Sequence, residues 1–158
     1  MTRLAAALIA LGLLFAAPVA ARQPRLGDLR LDTLHVRASI GATPNTAGYV
    51  TVVNVGPRPD RLVTASCACA RRVELHATST DGGVARMGAV RGFDVPARGR
   101  LTLAPGGGHL MLLGLTRPIR DGEFVRITLR FERAGMVAAD FHVMARIATT
   151  PAAGHAHH

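Results

Sequence analysis

Leu103-Ala104-Pro105-Gly106-Gly107-Gly108-His109-Leu110-Met111-Leu112-Leu113-Gly114-Leu115 sets a Pro- and Gly-rich turn directly before a short apolar run. Proline presets φ and glycine accepts positive φ, so the first half marks a turn. On an extended chain, successive side chains point to opposite faces. His109 and Met111 therefore share one face, while Leu110 and Leu112 point the other way, towards a core. The same rhythm continues outward along the chain. Candidate strands rich in Val, Thr, Ile and Leu lie at Leu34–Ile40, Gly48–Val55, Arg61–Ala65, Arg72–Ala77, Val84–Ala89, Arg100–Leu103, His109–Leu115, Glu123–Glu132 and Val137–Arg146. Gly56-Pro57, Asp81-Gly82-Gly83, Asp121-Gly122 and Ala134-Gly135 separate several of them. Turn signals at intervals of about ten residues predict an all-β sandwich or barrel. The chain shows no internal repeat and no long amphipathic helix.

A length of 158 residues with 49% hydrophobic content suits one domain with its own core. Met1–Ala21 has Arg3, an apolar run from Leu4 to Phe15 and small residues up to Ala21, the layout of a secretory signal. That run is shorter than the ~18 residues expected of a membrane-spanning helix. The expected organisation is a signal peptide at 1–21, a flexible lead-in at 22–29, a β-domain at 30–148 and a flexible tail at 149–158. Export to the periplasm follows from the signal.

The net charge is +9, and every one of the 19 basic residues is Arg. These arginines are scattered, with no dense run and no aromatic interleaving, since the chain has one Tyr and no Trp. Nucleic acid is thus not the expected partner. The charge reads as solvated surface, with a lesser role in docking onto an acidic partner or in peripheral contact with the inner membrane.

Four residues form the candidate metal set: His76, Met87 after ten intervening residues, His109 after twenty-one more, and Met111 after one. Two imidazoles and two thioethers favour monovalent copper, because Met sulfur is soft, uncharged and indifferent to protonation. Zinc, calcium and magnesium prefer thiolate, imidazole or oxygen. His109 and Met111 make a pincer on one strand. His76 ends the strand before the Asp81-Gly82-Gly83 turn and Met87 lies on the strand after it, so the two are expected to face each other across a hairpin, at one rim of the fold.

With its flanking text, this pattern resembles the periplasmic copper chaperones called PCuAC. The shared text includes Ala47-Gly48-Tyr49-Val50-Thr51-Val52-Val53-Asn54, Val73-Glu74-Leu75-His76 and Leu103 to Leu112, within a resemblance covering about residues 30 to 145. It implies a cupredoxin-like Greek-key β-fold and one Cu(I) at an exposed site. It further implies delivery of that copper to the CuA centre of cytochrome c oxidase, on subunit II, alone or with a Sco-type thiol protein. A copper-sequestering resistance protein and a non-metal β-sandwich interaction module are the competing readings.

Cys67 and Cys69 depart from the family pattern. On a fully extended strand their Cα atoms would stand at the limit of disulfide reach, about 6.5–7 Å. A strained or turn-adapted disulfide, a secondary soft copper site or thiol relay, and inert cysteines all stay open. His155, His157 and His158 crowd the tail, where nitrogen donors suit Cu(II). His35, His142 and Met144 read as structural. No Gly-x-Ser-x-Gly elbow, phosphate loop or dinucleotide fingerprint is present, so an enzyme is not expected.

Overall fold

The computed structural model describes residues Pro24 to Ile147 except Ala42, Gly82 and Gly83. The segment read as a signal peptide, 1–21, and the tail histidines lie outside the described residues. Within them the chain forms strands and turns only. These are β1 (Arg25–Leu26), β2 (Leu29–Arg37), β3 (Asn45–Asn54), β4 (Asp60–Cys67), β5 (Ala70–Asp81), β6 (Val84–Ala89), β7 (Phe93–Val95), β8 (Arg100–Leu103), β9 (His109–Leu115), β10 (Phe124–Phe131) and β11 (Gly135–Met144).

Seven of them close a ring in the order β2-β11-β10-β4-β5-β9-β3, and β3 pairs back onto β2. Closure removes free edges from the main sheet. Every pairing around the ring is antiparallel except β2 with β11. The expected all-β cupredoxin-like architecture is therefore what forms, as a barrel with four short strands attached: β1 to β2, β6 to β5, β7 to β4 and β8 to β3.

Alternation fills the interior. Val36, Val50, Val52, Leu62, Leu110, Leu112, Ile127, Leu129, Phe141 and Val143 are all fully buried. Leu75 lies opposite Leu110 and Val73 opposite Leu112, so β5 and β9 turn these side chains inward together. Gly108 makes the approach to β9 possible. A Cβ there would stand 2.9 Å from both Leu103 and the Phe93 ring.

Two short strands were not among the candidates. The lead-in at 22–29 holds β1, which pairs with the start of β2 through Arg25–Arg30 and Leu26–Leu29. Gly27 supplies the positive φ of +57° that this tight connection needs. Phe93–Val95 is also a strand, paired with β4, and is too short to show a period in sequence.

Leu110 sits between the two candidate donors of β9 and faces the interior. Truncating it (Leu110→Ala) is expected to lower unfolding free energy by about 2–5 kcal/mol, read by urea denaturation.

Candidate metal centre

The register of β5 against β9 positions the site. His76 pairs with His109 and Glu74 with Met111, all on the outer wall opposite the inward Leu75 and Leu110. The two imidazole centroids are 5.6 Å apart, with the rings tilted by 54°. With an imidazole–metal bond of about 2 Å, that spacing admits one ion between the rings.

Met87 comes from β6. Here the hairpin corrects the sequence reading: Met87 pairs with Thr78, and His76 pairs with Ala89, two residues away. The donors are diagonal rather than opposite. A two-residue offset still keeps them on one face. Met87, His109 and Met111 line a common cavity of about 520 Å³, together with Thr78 and Tyr49. His76 is the neighbour of His109 beside that cavity.

Hydrogen bonds preset both rings. His109 Nδ1–H donates to the Gly107 carbonyl at 3.2 Å, which leaves Nε2 with its lone pair. The Thr78 hydroxyl donates to the same carbonyl, pinning the glycine turn to β5. His76 Nε2–H donates to Glu74 Oε2 at 2.9 Å, leaving Nδ1 as its acceptor nitrogen. The hydrogen bond from His76 holds the Glu74 carboxyl below its usual range, with Arg72 adding to the effect. Glu74 thus stays ionised through mild acid. It lost notice in the sequence although its position two residues before His76, on a strand, was a usable signal.

Exposure divides the set. His109 is 6% exposed, whereas Met87 is 70% exposed. One donor is fixed in the wall and another reaches into solvent.

Cys67 and Cys69 are joined in a disulfide with a Cα separation of 5.1 Å. Strand β4 ends at Cys67 and the chain turns before β5 begins at Ala70, so the extended-chain spacing does not apply. The Cys69 N–H donates to Cys67 Sγ within this turn. Bonded sulfurs offer no thiolate to copper. The pair also lies at the far end of β5 from His76, about 20 Å away at the usual rise per residue.

The LpqE-like family model, which describes lipoproteins, matches residues 29–143. A protein of Leifsonia xyli subsp. xyli named as a lipoprotein is 40% identical over 87 residues, covering 54% of this chain and 52% of that protein. The match spans about half the length of that relative. Among solved structures, the copper-bound PCuAC domain from PmoF2 superposes with a TM-score of 0.68 at 29% identity, covering 79% of this chain and 99% of that one. Apo-DR1885 from Deinococcus radiodurans gives 0.60 at 32% identity, covering 93% and 98%. Cu(I)-DR1885 gives 0.62 at 34%, covering 80% and 83%.

Two outcomes follow from this geometry. Glu74→Ala removes the acceptor that orients His76 and is expected to weaken copper binding about 10- to 100-fold in a competition titration, with Glu74→Gln retaining more affinity. Thiol titration of the native protein should find no free thiol before reduction and two after it.

Proposed function

The chain belongs to the LpqE-like family, and from that premise we propose that it is a Cu(I) carrier of the cell envelope, holding the ion between His76, Met87, His109 and Met111. The observation that carries this reading is the pairing of two imidazoles at 5.6 Å beside a cavity lined by two thioethers. The copper-bound state of PCuAC relatives supports the choice of ion.

The donor set suits transfer. Uncharged thioethers and imidazoles hold Cu(I) without the strong thiolate bonds that slow release. Met87 is the outward donor and yields first to an incoming sulfur of an acceptor. His109, buried and hydrogen-bonded to the glycine turn, yields last. Copper then moves by ligand exchange, never leaving coordination. The acceptor is the CuA centre on subunit II of cytochrome c oxidase, reached directly or with a Sco-type thiol protein. The protein works in the periplasm as a metallochaperone and catalyses no reaction of its own. Its positive charge favours docking on an acidic face and peripheral contact with the inner membrane. An outward Met87 favours hand-off over sequestration, since storage gains nothing from an exposed ligand.

Cu(I) titration against a competing chelator tests the ligands. Met87→Ala with Met111→Ala should lower affinity by more than about a hundredfold, beyond the usual effect of an outer-shell partner. X-ray absorption of the loaded protein should show sulfur and nitrogen neighbours, and unchanged affinity in the double variant would refute the assignment. Mixing loaded protein with the reduced apo soluble domain of oxidase subunit II should transfer copper. A deletion strain that keeps oxidase activity and loses only copper tolerance would identify a sequestering protein instead.

A further inference from the structure

The His-x-Met spacing of His109 and Met111 recurs at His142 and Met144, and in sequence it has no matched upstream partner. The fold supplies one. Strand β11 runs parallel to β2, setting His142 opposite His35 and Met144 opposite Arg37. Between these positions Val36 and Val143 pair and are fully buried inside the barrel. His35, His142 and Met144 therefore stand on the outer wall. The arrangement repeats that of the first site, where His76 faces His109 and Met111 follows two residues on. Three of four donors are reproduced, and only a counterpart of Met87 is missing.

The surroundings suit a ligand. His35 and Met144 line a cavity of about 350 Å³ with Tyr49, Thr102 and Pro105. His142 stands beside this cavity, on the β11 position paired with His35, and its ring packs against Phe124 with centroids 5.0 Å apart and planes tilted by 32°. Burial, then the nearby His142, lower the pKa of His35 below its ordinary value. Tyr49 pairs with His35 across β2 and β3 and lines both this cavity and that of His109 and Met111. Arg37 sets a positive charge beside Met144, which opposes an incoming cation.

We propose that His35, His142 and Met144 form a second, weaker Cu(I) site on the barrel wall, with Tyr49 as the partition between it and the first. Two imidazoles and a thioether, without a carboxylate, form a soft to borderline donor group. Three donors and a neighbouring guanidinium make it the weaker of the two. The identity of the ion rests on the carrier reading above; the grouping of the donors does not. The second site fills once the first is loaded and holds an ion one cavity away from it.

The test is a Cu(I) titration of the full chain with His155, His157 and His158 replaced by Ala, so that the tail cannot contribute. Two equivalents are expected, the second at least tenfold weaker. His35→Ala with His142→Ala should leave one tight equivalent; Met87→Ala with Met111→Ala should abolish the tight one and leave the weak one. In the unsubstituted protein, the imidazole nitrogen resonances of His35 and His142 should shift during the second equivalent and not the first, which needs no variant to fold. Saturation at one equivalent, or a second equivalent that survives loss of His35 and His142, overturns the proposal. If instead the tight equivalent survives loss of Met87 and Met111 while the weak one needs His35 and His142, the first site is misassigned and the second stands.

Discussion

Everything at the candidate metal centre depends on the register between β5 and β9. With Leu75 opposite Leu110 inside the barrel, His76 must meet His109 outside it, and Glu74 must meet Met111. A slip of one residue would send leucines to solvent and imidazoles into the core. The cost of exposing two fully or nearly fully buried leucines holds the register far more firmly than any polar contact in the site. The site therefore needs little stabilisation of its own. Its donors can stay uncoordinated to one another, with hydrogen bonds setting only the orientation of two rings.

That division explains why so much of the centre was legible in sequence. His109, Leu110, Met111 and Leu112 carry both the inward and the outward pattern in four consecutive residues, and strand periodicity places each side chain without further knowledge. Spacing singled out all four candidate donors for the same reason. The offset of Met87 from His76 was not legible, because it follows from how β5 and β6 meet at the Asp81–Val84 pair. Of the readings left open for Cys67 and Cys69, the turn-adapted disulfide is the one that forms, because β4 ends at Cys67 and the chain turns before Ala70. β1 and β7 were missed because two or three residues cannot display a period.

The least legible feature is the parallel pairing of β2 with β11. Their residues are more than a hundred positions apart, and neither strand announces its neighbour through a turn. Parallel strands require a crossover, here made by the whole intervening chain. Sequence alone therefore leaves His142 and Met144 without a partner and makes His35 look incidental. Barrel closure brings the three onto one wall. Local motifs show which donors share a strand, while only topology shows which strands share a face.

The asymmetry of the first site bears on how a carrier balances retention against release. A site made wholly of rigid wall residues would bind tightly and exchange slowly; one made wholly of exposed thioethers would lose its ion to any competitor. Here the buried end is fixed twice, by the glycine-turn carbonyl on His109 and by Glu74 on His76. The open end rests on Met87, in a six-residue strand that among the described residues pairs with β5 alone. On the proposed reading, an acceptor approaching from solvent would meet Met87 first, and displacing it would disturb neither imidazole. Exchange would then proceed through one exposed thioether while the rest of the barrel keeps its register.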